Sequence, residues 1–228
     1  MILNIETSSK FCSVAVSDSG AVYFSLESDS EMDHSTKLAP FVDRCMKELR
    51  SRGHALDAVA VSMGPGSYTG LRIGLSLAKG LCFGLNLPLI GLSTLEILAV
   101  KAMFSISEFD DNLLFIPMID ARRMEVYTAA YDNALNQEMI PQPLILSNDS
   151  YAQFSNHNII AIGDAVDKAK SIVQTPIKKW ITALPKATDM VALAEKALRN
   201  ENFIDLAYST PFYLKNFQAT TPKKNIIC

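Results

Sequence analysis

Residues Ser62–Asn86, SMGPGSYTGLRIGLSLAKGLCFGLN, constrain the fold more than any other part of the chain. A turn of glycine, proline and hydroxyl side chains leads into a helix in which, from Leu71 to Leu85, only Arg72 and Lys79 are charged. Leu71, Leu75, Ala78, Cys82 and Leu85 share one face while Ile73, Leu77, Leu81 and Phe83 spread over the others, so no wide polar stripe remains for water. Such a helix is either sandwiched inside its own fold or covered by another protein. Gly70 with Gly74, and Gly80 with Gly84, thin it at four-residue spacing and permit a neighbouring helix to approach.

A second helix precedes it. Leu38, Phe41, Val42, Cys45, Met46 and Leu49 recur at three and four, with Lys37, Asp43, Arg44, Lys47 and Glu48 opposite. Pro40 lacks an N–H, so this helix starts late or kinks near its first turn. Side by side, the two helices can present a patch near the ~800 Å² per partner typical of stable interfaces. The residues expected to face a partner are Leu38, Phe41, Val42, Cys45, Met46, Leu71, Leu75, Ala78, Leu81 and Cys82.

Around these helices the pattern is that of an α/β protein with mixed sheets. Met1 to Glu6, Phe11 to Ser17 and Gly20 to Ser28 read as a strand meander, and LDAVAVSMG reads as a buried strand before the glycine turn. A short strand at Pro88 to Gly91 and a helix from about Ser93 to Phe104 follow. The polar, acidic stretch from Ser105 to Asn112 marks a boundary between a first lobe, residues 1–104, and a second, residues 105–228. The second lobe carries LLFIPMID, RMEVYTAAYD, PLIL, NIIAIG and a helix from Met190 to Arg199, and its final segment can pack back on the first lobe. Both lobes begin with strand, sharp turn, strand, a hint of duplication.

Composition removes other classes. About half of the 228 residues are apolar, which excludes disorder. Net charge is −3 and the cations are scattered, so the usual footprint of nucleic-acid binding is missing, and if RNA is involved another chain holds most of it. Four cysteines form no C-x-x-C pair, MILNIETSSK lacks a signal core, and Lys79 and Pro88 interrupt the longest apolar region; the expectation is a cytoplasmic, reduced protein without a membrane span. His34, His54 and His157 have no metal-ligand spacing.

Two turns carry possible chemistry. Gly64, Gly66 and Gly70 can adopt angles closed to other residues, Ser67 and Thr69 can cap the helix, and its free N–H groups favour an anion. The spacing is neither a Walker loop nor a dinucleotide fingerprint: the Walker pattern's second glycine would fall on Thr69, and the glycines read G-x-G-x-x-x-G. The turn is therefore a structural strand-to-helix connection or a ligand loop. In IETSSK, Glu6 with donors from Thr7, Ser8 and Ser9 can hold a metal-bound phosphate, or the segment is a solvated hairpin turn.

Taken together, ILNIETSS, CSVAV, HSTKLAP, SMGPGSYTGLRIGLSLAKGL, PLIGLSTLEILA and DARRMEVY resemble the bacterial TsaB (YeaZ) family, densely from Met1 to about Tyr131, with PFYLK similar to the family's closing motif. The resemblance implies an actin-like, sugar-kinase ATPase fold of two lobes with related topology. It implies a role in making threonylcarbamoyladenosine in tRNA as a non-catalytic scaffold or activator for the paralogous transferase TsaD. The ATPase TsaE would join through the complex, the tRNA would be reached indirectly, and a homodimer would form when the chain is alone.

TsaD carries a His-x-x-x-His metal pair after its Pro-Leu-x-Gly strand; in PLIGLSTLEILA those positions are Thr94 and Leu98, which cannot replace two metal nitrogens. That mismatch also opposes a metalloprotease reading. The resemblance places Asp120 as a phosphate-side acid, but Ala121 and Arg122 follow in place of glycines. No cofactor is expected to be required, and any ATP or ADP binding should be weak. The alternative is a weak ATPase or small-molecule kinase using Glu6, Asp120 and the Gly64 to Gly70 turn. His34 and Ser35 fit the family's helix opening or form a cap with a solvated imidazole. DARRMEVY is a charged hairpin, with Arg122, Arg123 and Glu125 outward and Val126 inward, or an interface or RNA contact. The tail, with Lys215, Lys223 and Lys224, is a solvated end or touches RNA or a partner.

Overall fold

The computed structural model describes residues 1–108 and 110–215, so Lys223, Lys224 and the tail around them lie outside the described residues. The first half runs β1 (Ile2–Glu6), β2 (Ser13–Asp18), β3 (Ala21–Glu27), α1 (His34–Ser51), β4 (Ala58–Gly64), α2 (Tyr68–Leu85), β5 (Leu89–Ser93) and α3 (Thr94–Phe104). The second runs β6 (Leu113–Asp120), β7 (Glu125–Tyr131), β8 (Gln137–Ile145), β9 (Asn158–Gly163), α4 (Val166–Lys170), β10 (Lys179–Thr182) and α5 (Val191–Arg199).

Each half builds a mixed five-stranded sheet, ordered β3-β2-β1-β4-β5 and β8-β7-β6-β9-β10. In both, the first strand is central, the second and third lie antiparallel to one side, and the fourth and fifth lie parallel on the other. The two lobes thus share one topology, the actin-like arrangement that the resemblance implies. Strands covered on both faces read as apolar runs rather than alternations: β1 is buried throughout, and so is β6 up to its last residue, Asp120.

α1 and α2 cover one face of the first sheet, where Leu38, Val42, Cys45, Leu49, Leu75, Ala78 and Cys82 pack on Leu3, Ile5, Val59 and Val61. This corrects the expected partner face. Leu38, Val42, Cys45, Leu71, Leu75, Ala78 and Cys82 are all at most 5 % exposed, because the sheet claims the stripe that the helical periodicity identifies. Phe41, Met46 and Leu81 stay partly exposed at its border. α1 also begins at His34 and runs through Pro40, so the late start does not occur.

α3 is packed between the two sheets along most of its length, up to Phe104, which is 80 % exposed. Its Ile97 and Val100 pack with Ile2, Ala60 and Ile90 of the first lobe, and its Leu95, Leu98 and Ala99 pack with Phe115, Ile160 and Ile162 of the second. After β10 the chain returns to the first lobe: Met190, Leu193, Ala194 and Ala197 join the cluster around Ile2 and Ile90. Further on, Ile204 donates its N–H to Leu89 at 2.9 Å and Phe212 donates to Met63 at 2.6 Å.

Candidate functional site

The two turns that the sequence offers as anion sites are packed against each other. The Ser67 N–H donates to the Ser8 carbonyl at 2.7 Å. A Cβ at Gly66 would lie 2.3 Å from the Ser8 oxygen, one at Gly70 2.2 Å from the Thr7 oxygen, and one at Gly74 2.3 Å from Thr7 Oγ1. These distances lie far inside van der Waals contact, so the glycines exist to let α2 and the β1–β2 turn meet. Gly64, at φ +101°, faces the carbonyl of Phe212 in the same way. Ser67 caps α2 by accepting from the Gly70 N–H at 3.2 Å, and Thr69 lies exposed in the first turn.

The hydroxyl turn is therefore neither solvated nor open to a phosphate. Glu6 and Thr7 are fully buried and Ser8 nearly so. Glu6 Oε1 accepts from the Ser8 N–H at 2.6 Å, while Glu6 Oε2, Thr7 Oγ1 and Ser8 Oγ have no partner among the described residues. Burial, opposed by the hydrogen bond from the Ser8 N–H, pushes the Glu6 carboxyl up to about 7. His34 is also buried, its Nε2 donating to the Ser9 carbonyl at 3.0 Å, which corrects the solvated-cap reading of the imidazole.

Asp120 sits exposed at the end of β6, its N–H donating to Asp164 Oδ1 at 2.8 Å. Its carboxylate accepts from Lys168 Nζ and from the Arg122 N–H, and the same ammonium donates to the Arg123 carbonyl at 3.0 Å and the Glu125 carbonyl at 2.7 Å. Asp120 is thus paired with a cation of the chain's own. Between the lobes, Ser8, Thr94, Leu98, Ile119, Asp164 and Leu184 line a cavity of about 10 Å³, the size of one water. Thr94 and Leu98, one turn apart on α3, are both buried there. Among the described residues no group of three or more His, Cys, Asp or Glu could hold a metal ion, and no helix is long and apolar enough to cross a membrane. Ser8 and Ser9 of the hydroxyl turn and Ile119 beside Asp120 meet at the small cavity between the lobes, whose lining does not include Glu6 or Asp120.

The open feature lies on the outer side of α1 and α2. A groove of about 390 Å³ runs between them, lined by Met46, Leu77, Gly80, Leu81, Gly84 and Leu85. A Cβ at Gly80 or Gly84 would meet nothing within 4 Å. Phe83, on the same helix, is 83 % exposed. Of the residues expected to face a partner, Met46 and Leu81 line this groove and Val42 forms its floor. Sequence periodicity misses Leu77, Gly80, Gly84 and Leu85 as a set; the Gly80 and Gly84 spacing is the signal that points to them.

A family model described as TsaD, tRNA N6-adenosine threonylcarbamoyltransferase, matches residues 28–223. The chain is 29 % identical to the tRNA threonylcarbamoyladenosine biosynthesis protein TsaB of Escherichia coli, covering 94 % of each, and 27 % identical to that of Haemophilus influenzae, covering 94 % of this chain and 93 % of the relative. The solved structure of YeaZ from Pseudomonas aeruginosa superposes with a TM-score of 0.74 at 27 % identity, covering 93 % of this chain and 99 % of that one.

Proposed function

The chain belongs to the TsaD family of tRNA N6-adenosine threonylcarbamoyltransferases, on its TsaB or YeaZ branch, and from that membership we propose that it is a non-catalytic scaffold or activator. In this reading it serves tRNA threonylcarbamoyladenosine synthesis by binding the catalytic transferase TsaD, with TsaE joining through the complex. It does not transfer the group itself and requires no cofactor. Alone, it pairs with a second copy through the same face.

The observation that carries this reading is the α1–α2 groove with Gly80 and Gly84 open in its wall. Each glycine inside a helix costs about 1 kcal/mol relative to alanine. Neither is needed for contacts within the chain, so a partner's side chains seated against the bare backbone give the pair a purpose. The non-catalytic part is supported by Thr94 and Leu98 at the positions of the metal pair. A nucleotide-hydrolysing role has less support, because the cavity between the lobes has room for about one water and Asp120 is already paired with Lys168.

The test is purification with a TsaD-type transferase, followed by mass measurement and an assay of base modification with and without this chain. A stable complex and modification that depends on this chain are expected. Full modification by the transferase without it would overturn the proposal.

A further inference from the structure

On the opposite end of α2 from the groove, the first turn of the helix meets the closing PFYLK segment. The Tyr68 and Tyr213 rings lie 5.2 Å apart at 37°, the Arg72 guanidinium sits 4.0 Å over the Tyr68 ring, and Arg72 Nε donates to the Tyr213 hydroxyl at 3.0 Å. The rings are 36 % and 39 % exposed, which leaves aromatic surface presented to solvent with a fixed cation between them. Two residues on, Lys215 pairs with Glu125, which follows the β6–β7 turn, so the two features form one continuous edge.

That turn is built from arginines. Arg122 and Arg123 adopt φ of +66° and +49°, where residues other than glycine are uncommon and where a hairpin turn favours Asn-Gly. Both are exposed, and among the described residues neither side chain has a carboxylate partner; nor has Arg72. Lys168 pairs with Asp120, whose N–H bonds the exposed Asp164, and Lys215 pairs with Glu125; with Arg72, Arg122 and Arg123, five cations stand against these three carboxylates, so the edge is net positive within a chain of net charge −3.

We propose that this edge binds single-stranded RNA directly. The claim goes beyond the scaffold reading, in which tRNA is reached only through the transferase. Aromatic faces beside a basic track suit a single strand, whose bases can stack while its phosphates take the arginines. A duplex would hide its bases from the tyrosines. Tyr and Arg are also common at protein interfaces, but guanidiniums left without carboxylates at the aromatic pair and at the β6–β7 turn favour phosphate.

The test uses the full chain and a fluorescein-labelled single-stranded adenine- and uridine-containing RNA, read by anisotropy at about 50 and 200 mM salt. The double variant Arg122→Asn/Arg123→Gly gives the turn its favoured residues and keeps it folded. It should weaken binding at least about 10-fold at low salt and flatten the slope of log K against log salt by about 1.4. Tyr213→Ala should weaken binding about 10-fold with the slope unchanged. Absence of binding by the native chain, or equal binding by the double variant, would overturn the proposal. So would a double variant that binds RNA normally but loses the transferase, which would make the edge a protein contact. Gly80→Phe should lose the transferase and keep RNA, so this inference and the scaffold reading fail independently.

Discussion

The Ser67 N–H donates to the Ser8 carbonyl at 2.7 Å, and through this bond the two most ligand-like turns of the sequence close against each other. The glycine turn is a packing device that seats α2 on the β1–β2 hairpin, and what remains open to a partner is the far side of the helix.

Glycines on the two sides of α2 should therefore respond oppositely to the same change. Gly74→Ala drives a methyl to 2.3 Å from Thr7 Oγ1, and should destabilise the fold by about 1–3 kcal/mol. Gly80→Ala enters open space and should stabilise it by about 1 kcal/mol. Urea titrations compare them, and shifts of the same sign would contradict the assignment.

Burial raises the Glu6 carboxyl from 4.5 to about 7, so the folded chain keeps a proton that the unfolded chain releases. The stability from this group is fully present below pH 4.5 and is lost as pH rises through about 7. The loss by about pH 8 amounts to about 3 kcal/mol. Glu6→Gln should remove that fall, seen as urea midpoints at about pH 5 and pH 8 that converge relative to the native chain. An unchanged pH slope in the variant would assign the effect elsewhere.

Lys168 holds the β6–β7 turn by one carboxylate and two carbonyls. Lys168→Met should cost about 2 kcal/mol because those acceptors lose their donor. Asp120→Asn should cost less, since the ammonium keeps both carbonyls. Equal losses in chemical denaturation would show that the carboxylate alone matters.

Leu75 and Leu81 separate folding from docking. Leu75 is 5 % exposed in the core, and Leu75→Glu should destabilise the chain by about 3 kcal/mol or more. Leu81 borders the groove, and Leu81→Glu should leave the circular dichroism spectrum and thermal midpoint close to native while weakening the complex with the transferase. Loss of fold in the Leu81 variant would place that residue in the core instead.

Much of the fold can be read from residue patterns, since β6 and β9 coincide with LLFIPMID and NIIAIG and α3 with the run after PLIGLS. The short α4 and β10 carry too few residues for a period to show. Periodicity finds the apolar stripes of α1 and α2 but not what covers them: Leu75 and Ala78 look the same in sequence whether a sheet or another protein lies opposite. The pairing of Thr7 and Ser8 with Gly66, Gly70 and Gly74 spans about sixty residues of sequence and becomes visible only in the folded chain. The open Gly80 and Gly84 are the local signal that survives into the candidate site.

The most direct test of the account is the mass of the complex between this chain and a TsaD-type transferase, measured by light scattering for the native chain and for Gly80→Phe. The substitution puts a ring into the α1–α2 groove from a position where the added Cβ has no atom within 4 Å. The account predicts a stable complex with the native chain and separate components with the variant, which stays folded. A variant that is folded and still fully assembled would contradict it.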